Sequence, residues 1–266
     1  MPKPWKPSLA LKLTAAIHLV LVIGLLLAPD YWPWALGVFG LNHLIITTAG
    51  MLPRSTLLGP NLTRLPDGAI KRREVALTID DGPNPEVTPR VLDILDAAKA
   101  KATFFCVGRY ARQYPEICRE IIARGHQIEN HGDAHSALFA TFGMQRMRSD
   151  ILAAQKSLSE ITGRAPKFFR ATAGLRNPML DPVLSGLDLK LAAWTRRSFD
   201  TQVGDPEIVL KRLTKQLSAG DILLMHDGHA ARTAEGEAVI LSVLPRLLAA
   251  FTAAQLTPVT LDAALK

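Results

Sequence analysis

The chain has 266 residues, and its composition is 48% hydrophobic, 21% charged and 6% aromatic, with a formal net charge of +7. This balance excludes an intrinsically disordered chain, and two cysteines without a CxxC pair exclude a disulfide scaffold or a zinc ribbon. A modest positive charge suits an anionic membrane or nucleic acid, but the sequence has no low-complexity basic tail and no interleaved aromatic and basic face. Nucleic-acid binding is therefore not expected.

Residues 1–53 are predicted to form a membrane anchor with two hydrophobic spans. The first span covers residues 9–28, which are nearly all apolar and long enough to cross a hydrocarbon core of about 30 Å. The second covers residues 31–52 and begins with Tyr31 and Trp32, amphipathic aromatic residues that favour a membrane interface. Polar residues make the second segment the weaker candidate. The alternatives are a helix lying on the bilayer for the second segment and a cleaved signal peptide for the first.

The positions of the lysines and arginines predict which side of the membrane the body faces. Lys3, Lys6 and Lys12 precede or begin the first span, and residues 54–73, a predicted basic juxtamembrane linker, follow the second. The bases of this linker are Arg54, Arg64, Lys71, Arg72 and Arg73. Because cytoplasmic flanks retain basic residues, we expect a hairpin in a bacterial-type inner membrane with the body in the cytoplasm. If the second segment does not span, the body lies in the periplasm.

Residues 74–266 are predicted to form one α/β domain. The predicted strands are residues 74–80, 102–107, 127–130, 167–170, 189–195, 221–226 and 257–261. The predicted helices are residues 89–99, 115–124, 144–161, 206–217 and 237–250. This alternation favours a parallel sheet that closes as a distorted (β/α) barrel of about seven strands, with an open doubly wound sheet as the alternative. In either fold, functional side chains belong at the carboxyl ends of the strands.

Two polar clusters follow predicted strands and suit a metal site. Asp80 and Asp81 end the first strand, and neighbouring side chains point in different directions, so one carboxylate can ligate a metal while the other holds a water as general base. His131 and His135 follow the third strand, and on a turn or short helix two imidazoles at this spacing can bind one metal. An ordinary Asp turn and a surface helix start are the alternatives.

A third cluster supplies candidates for proton transfer. His226 ends the predicted strand 221–226, where it can act as an acid or base, the alternative being a core-edge histidine bonded to the backbone. Arg170 can hold a catalytic carboxylate, and Asp200 can orient His226 or pair with Arg170. Trp194 is compatible with plain core packing.

In the order and spacing of five short motifs, the chain from residue 74 to about 262 resembles the polysaccharide deacetylase family, also known as NodB-homology or carbohydrate esterase family 4 proteins. The motifs are residues 78–83, 131–135, 169–174, 194–200 and 224–226. The resemblance implies that Asp80 is the catalytic base and that Asp81, His131 and His135 hold a divalent metal ion. Zinc is expected, with cobalt, nickel or manganese as alternatives.

The resemblance also implies roles around the substrate. Arg170 is the partner of the catalytic base, and the backbone N–H of Ala173 donates to the oxyanion. His226 is the general acid, and Asp200 matches the later Asp of the fourth motif. Trp194 and Leu224 match positions that contribute to substrate binding.

Two departures from the family pattern bear on the substrate. Residues 171–173 replace Pro-Pro-Tyr, so the usual aromatic wall is missing and a wider pocket is expected. Arg197 stands where the fourth motif often has an Asp. It either brings positive charge to the cleft, which would suit a phosphate-bearing substrate, or lies with Arg196 on an exposed loop.

The expected function is metal-dependent hydrolysis that removes an N-acyl group, acetyl or formyl, from an amino sugar of a lipid-linked glycan or a polysaccharide. A body tethered at the bilayer meets lipid-linked sugars at high local concentration. The alternative is a membrane-anchored sugar-binding or scaffold protein that keeps the fold but has lost catalysis.

Overall fold

The computed structural model describes residues 4–266, so Lys3, counted above among the flanking bases, lies outside the described residues. Two long helices come first, α1 (Leu9–Leu27) and α2 (Trp32–Met51), joined by a short 3₁₀ turn. Leu9–Leu27 and Pro29–Met51 have mean hydropathies of 2.3 and 1.3, and both segments are long and apolar enough to cross a membrane by length and composition.

The body alternates strands with helices. The strands are β1 (Glu74–Asp80), β2 (Thr103–Cys106), β3 (Gln127–Asn130), β4 (Phe168–Phe169), β5 (Lys190–Leu191), β6 (Arg196–Arg197), β7 (Ile222–His226) and β8 (Thr257–Val259). The helices are α3 (Asp67–Lys71), α4 (Thr88–Ala97), α5 (Gly108–Gln113), α6 (Pro115–Ala123), α7 (Met144–Thr162), α8 (Leu180–Gly186), α9 (Pro206–Thr214), α10 (Val239–Ala253) and α11 (Leu261–Ala264).

The strands form one curled, parallel sheet. Its order is β5-β4-β3-β2-β1-β7-β6, and β8 pairs with the first half of β1. Every strand pairing is parallel, as the alternation of strands and helices predicted. The predicted distorted barrel is therefore confirmed, with β6 as an additional strand, because the predicted strand 189–195 ends just before Arg196.

The alternation of side chains along the strands aims the polar residues into the curled sheet. In β1, Leu77 and Ile79 pack against the helices, whereas Ala76 belongs to the inner apolar layer. By the same alternation Thr78 and Asp80 face the inside, and Asp80 does so at the carboxyl end. On the neighbouring strand, the register partner of Asp80 is His226, the last residue of β7. Polar groups from two neighbouring strands therefore meet at one end of the fold.

Residues 54–73 are folded onto the body instead of forming an irregular linker. Leu58, Leu65 and Ala69 are buried, and the segment contains helix α3. Two of its basic residues have partners on the body, since Arg64 pairs with Asp221 at 2.9 Å and Arg72 pairs with Glu74 at 2.8 Å. These two arginines are therefore paired with acids of the body, which leaves fewer bases of this segment free to face a membrane.

The carboxyl end of α2 packs against the loop that follows β4. The backbone N–H of Arg176 donates to the carbonyl of Gly50 at 3.0 Å, and a side chain at Gly50 would overlap the backbone of Arg176. The Arg176 guanidinium donates to the carbonyl of Ser55 at 2.5 Å. Because this loop lies at the carboxyl end of a strand, the apolar hairpin ends beside the polar cluster.

Candidate metal-dependent active site

Asp80 is fixed by a buried arginine. Nη1 of Arg170 lies 2.6 Å from Oδ1 of Asp80 and 2.8 Å from the hydroxyl of Thr78. The remaining nitrogens donate to the carbonyls of Ala192 and Ala193, and the guanidinium lies 4.0 Å from the ring centroid of Phe105. Burial lowers the pKa of Arg170, but the Asp80 carboxylate opposes this effect. One carboxylate oxygen is thus held in place, which leaves the other free to face the cluster.

Three histidines converge on Asp81. Its Oδ1 lies 3.1 Å from Nε2 of His131 and 2.9 Å from Nε2 of His135, and its Oδ2 lies 3.4 Å from Nδ1 of His229. Asp81 has a φ of 75°, in the left-handed region that Asp tolerates better than most residues, so its side chain leaves the direction of the strand. Burial alone would raise the pKa of Asp81, but the three histidines lower it well below its ordinary value, so the carboxylate is ionised.

The donor atoms around Asp81 fit a divalent cation. Nδ1 of His131 lies 2.8 Å from the carbonyl oxygen of Arg170, which can only accept, so Nδ1 carries a proton. In the neutral ring, the form that binds a metal, Nε2 then presents its lone pair to Asp81. Oδ1 of Asp81 is buried and finds no hydrogen-bond donor within residues 4–266. Facing lone pairs repel unless a cation lies between them, and imidazole nitrogens with one carboxylate are a typical zinc set.

His229 is a member of this cluster that the sequence did not indicate. The ligand atoms of Asp81, His135 and His229 all lie within 4.8 Å of one another. The side chain of His229 is half exposed, and its ring stacks on His135 with the centroids 5.7 Å apart. The predicted set instead contained His131, which contacts Oδ1 of Asp81, as His135 does, from a buried position. One sequence feature could have indicated His229: it is a second histidine in the loop directly after His226.

His131 and His135 lie in an irregular loop after β3 and not on a helical turn. Asp150 of α7 holds the loop by accepting hydrogen bonds from the backbone N–H groups of residues 133 and 134 at 3.1 and 3.0 Å. His135 has a φ of 48°, which a helical turn does not allow. The rings of His131 and His135 are therefore brought together by a loop that Asp150 fixes, and not by a helical turn.

His226 and Asp200 form a separate pair. Nδ1 of His226 lies 2.6 Å from Oδ1 of Asp200, and the backbone N–H of His226 donates to Oδ2 at 2.8 Å. The hydroxyl of Ser198 also donates to Oδ1. Burial lowers the pKa of His226, but Asp200 outweighs this effect and the pKa rises to about 9. Of the two partners considered for Asp200, the structure therefore pairs it with His226 and not with Arg170.

The remaining predicted site residues line or support the cleft. Ala173 lies in a 3₁₀ turn with a φ of 56°, directly after the strand end that carries Arg170. Trp194 packs against Gly174, whose Cβ position would lie 2.5 Å from the indole ring. Leu224 is fully buried in the inner apolar layer, so its side chain forms part of the floor and does not line an open pocket.

Asp227 is a second residue that sequence reasoning passed over. It is buried, its Oδ2 accepts a hydrogen bond from the hydroxyl of Thr88 at 2.5 Å, and a Cβ at Gly82 would lie 2.5 Å from its carboxylate. Burial raises the pKa of Asp227 to about 7. The side chain packs against the turn after Asp81 and so supports the metal-site loop from behind.

Comparisons with known proteins agree with this architecture. The family model for polysaccharide deacetylase matches residues 67–192. A chitooligosaccharide deacetylase of Azorhizobium caulinodans is 36% identical over 155 residues, which cover 58% of this chain and 73% of that protein. A peptidoglycan-N-acetylglucosamine deacetylase of Bacillus cereus is 32% identical over 176 residues, or 65% and 81% of the two chains.

A solved structure extends the likeness to three dimensions. The crystal structure of a peptidoglycan N-acetylglucosamine deacetylase in complex with a naphthalenyl N-oxidanyl-benzamide superposes with a TM-score of 0.69 at 26% identity, covering 77% of this chain and 92% of that one. Fold and sequence together define a hydrolase of the carbohydrate N-deacetylase class, whose members use a divalent metal. The chain belongs to the polysaccharide deacetylase family.

Proposed function

We propose that this protein is a membrane-anchored deacetylase that removes the N-acetyl group from an amino sugar of a lipid-linked glycan, with the divalent metal held by Asp81, His131 and His135. The observation that carries the proposal is the meeting of three charged units at one end of the sheet. These units are the Asp80–Arg170 pair, the Asp81 histidine cluster and the His226–Asp200 pair. Together they supply a base, a metal site and an acid for amide hydrolysis.

The chemistry divides among these units. A bound divalent cation polarises the amide carbonyl and lowers the pKa of a bound water. Asp80, held by Arg170, takes a proton from the attacking water as its oxygen bonds to the acyl carbon. The backbone N–H of Ala173 donates to the developing oxyanion. His226 gives a proton to the amine nitrogen as the C–N bond breaks, and acetate and the free amino sugar leave.

The relatives support an N-acetylated glucosamine as the sugar. They are deacetylases of chitooligosaccharides and of peptidoglycan N-acetylglucosamine. We therefore favour acetyl over formyl as the acyl group.

The lipid carrier is supported by the placement of apolar groups around the site. Helix α2 ends against the loop after β4. Leu138, Met179 and Phe199, on the loops after β3, β4 and β6, are 65%, 44% and 40% exposed. Apolar side chains on loops at the same end of a sheet suit contact with the interfacial region of a bilayer. We propose that the cleft faces the membrane, where lipid-linked sugars are concentrated.

The first test is the activity of the full chain in detergent, loaded with zinc. Acetate release is measured from a chitooligosaccharide and from N-acetylglucosamine on a polyprenyl carrier. Asp80→Asn should retain zinc but lose turnover, while Asp93→Asn, an exposed carboxylate beside Arg124, should behave as wild type. An active Asp80→Asn enzyme contradicts the base assignment, and an inactive wild type that still binds the sugars supports the scaffold alternative.

Orientation in the membrane needs its own test. We propose that both apolar helices span and that the body lies in the cytoplasm, because basic residues flank the hairpin at Lys6, Lys12 and Arg54. A fluorescent reporter after Lys266 should glow, and a phosphatase fused there should be inactive. The reverse result means that α2 does not span and directs the search for substrates to peptidoglycan and exported glycans.

A further inference from the structure

The two residues of β6 have different environments, because successive side chains of a strand point to opposite faces. Nε of Arg196 lies 2.5 Å from Oδ2 of Asp221, and its other nitrogens donate to the carbonyls of Lys215 and Gln216. Arg197 lies on the other face of the strand. Both arginines are half-buried strand residues, so an exposed loop at this position is wrong.

Two aromatic rings hold Arg197 at the cleft. Its guanidinium carbon lies 5.4 Å from the centroid of the Trp194 ring and 4.7 Å from that of Phe199. Burial lowers the pKa of Arg197, and the carboxylates of Asp80 and Asp200 oppose this effect. The guanidinium is therefore within electrostatic range of these carboxylates, and it stays charged because arginine is not deprotonated in proteins.

Three carboxylates lie near this charge: Asp80 and Asp200 already have closer cationic partners, and Asp81 is the carboxylate proposed to hold the metal. Asp80 is bonded to Arg170, and Asp200 is bonded to His226. Nε of Arg197 is buried and finds no acceptor within the described part of the chain, and no ion pair is formed there by this guanidinium. A partly buried cation without an anion is costly. Once a divalent ion occupies Asp81, the site therefore presents a positive charge at Arg197 that its own acids leave uncompensated.

This charge lies on the side of the site nearest the apolar hairpin. The Trp194 ring that stacks on Arg197 also packs against Gly174, whose Cβ position lies 2.6 Å from Pro53, just after α2. Arg54 donates to the carbonyl of Thr195 at 3.2 Å, two residues before Arg197. A group that joins a sugar to a membrane lipid would pass this point.

We propose that Arg197 binds the phosphate group of a phosphorylated amino-sugar substrate and so makes the enzyme specific for sugar phosphate esters. The planar guanidinium offers two parallel N–H donors, which match two phosphate oxygens. The rings of Trp194 and Phe199 hold the guanidinium in place before the substrate binds. This specificity rests on the proposed deacetylase function. The phosphate can belong to a lipid headgroup or to a soluble sugar phosphate.

The kinetic test compares three substrates of the full, zinc-loaded chain: N-acetylglucosamine 1-phosphate, polyprenyl-phosphate-linked N-acetylglucosamine and unphosphorylated chitotriose. In Arg197→Ala, KM for both phosphorylated substrates should rise about 10- to 100-fold, as for loss of a hydrogen-bonded charge pair, with kcat little changed. KM for chitotriose should not move. Arg197→Lys should lie between, and Arg212→Ala, which removes an exposed arginine beside the same Phe199 ring, should match wild type.

Any of three results overturns the proposal. An equal loss on all three substrates, or a loss confined to kcat, shows that Arg197 only balances the acidic cluster. An equal effect of Arg212→Ala shows that the overall positive field is responsible. If only the lipid-linked substrate responds to Arg197→Ala, the phosphate is that of a headgroup; if both respond, a soluble ester suffices.

A binding measurement keeps this inference separate from the proposed function. Calorimetric titration of N-acetylglucosamine 1-phosphate into Asp80→Asn protein, with and without Arg197→Gln, needs no turnover. A 10-fold or larger loss of affinity in the double variant supports phosphate binding even if no substrate is ever hydrolysed. Equal affinities overturn it even if the enzyme proves to be a deacetylase. Equal melting temperatures of the two proteins show that the comparison is between folded chains.

Discussion

Removing the charge of Asp200 should convert His226 from a protonated group into a largely neutral one. In the structure the pair raises the pKa of His226 from 6.5 to about 9 against the opposing effect of burial. That difference corresponds to about 3 kcal/mol in favour of the protonated ring. At pH 8 a histidine with a pKa of 9 is about 90% protonated, whereas one at 6.5 is about 3% protonated. Asp200→Asn should therefore leave about one thirtieth of the molecules in the acid form.

The amide brings a second penalty. Asp200 accepts from both the ring Nδ1 and the backbone N–H of His226, and an asparagine has only one acceptor for these two donors. The ring is then held in a different tautomer or tilted. Because a positioned general acid contributes about 10²- to 10⁴-fold, kcat/KM at pH 8 should fall by at least about 30-fold and by up to 10⁴-fold.

The assay is acetate release over a range of pH. Wild type should lose activity as pH rises through about 9, and Asp200→Asn should show this alkaline limb at least two units lower. Ser198→Ala is the matched control, because it removes a hydrogen bond to Asp200 at 2.5 Å but keeps the carboxylate. The alkaline limb of the Ser198→Ala enzyme should stay near pH 9. An Asp200→Asn limb that stays near pH 9, or a Ser198→Ala limb that moves as far, refutes the role of the Asp200 charge.

The same pair makes a prediction about stability. A histidine with a raised pKa in the folded state binds more protons folded than unfolded between pH 6.5 and about 9, so the free energy of unfolding decreases across that window. Below pH 6.5 the contribution of about 3 kcal/mol is fully present, and above 9 it is lost. Thermal melts of the full chain at pH 6 and pH 9.5 should differ more for wild type than for Asp200→Asn. An equal difference contradicts the predicted coupling.

Three further outcomes follow from the geometry. Zinc at about 100 times its Kd should raise the free energy of unfolding by about 2.7 kcal/mol. In thermal melts of the chelated and the reloaded chain, His131→Gln should abolish this stabilisation. If the stabilisation survives in His131→Gln, the metal binds elsewhere. His229→Ala should weaken zinc, measured by chelator competition, much less than His135→Ala does, because its ring is half exposed; equal losses would make His229 a full ligand. Gly50→Ala should displace the hairpin from Arg176, because the added methyl group would overlap the backbone of Arg176. Turnover of a lipid-linked substrate in vesicles should then fall, while turnover of a soluble substrate is unchanged. Unaltered turnover of the lipid-linked substrate contradicts a role for the contact.

The sequence predicted the elements whose patterns are long and regular. β1 was predicted at its observed bounds, and α7 to within one residue, because alternating or three- and four-residue spacing extends over many positions. The helices α5 and α8 were missed because they have only six and seven residues. Residues 54–73 lack a periodic pattern, and their placement depends on hydrogen bonds to Leu191 of β5 and to Gly220, just before β7, which local sequence does not encode.

The site was predictable to the extent that strand ends reveal it. Asp80, Asp81 and His226 follow buried runs, so the parallel topology alone brings them to one end of the sheet. His229 was not predictable in this way, because it follows an active-site residue in a loop whose φ of 54° turns the side chain back toward Asp81. The environment of Arg197 depended on a two-residue strand that the sequence alone did not indicate.

Charge balance explains why these acids can share so small a space. Asp80 is neutralised by Arg170 and Asp200 by His226, and in each pair the distance is 2.6 Å. Of these three acids, only Asp81 has no permanent cation beside it, so it is the carboxylate that is available to hold a metal ion. Once a divalent ion fills that place, its two positive charges outweigh the single negative charge of Asp81, and Arg197 adds a further positive charge to the cleft. A neutral polysaccharide gains nothing from the charge of Arg197, whereas a sugar phosphate does.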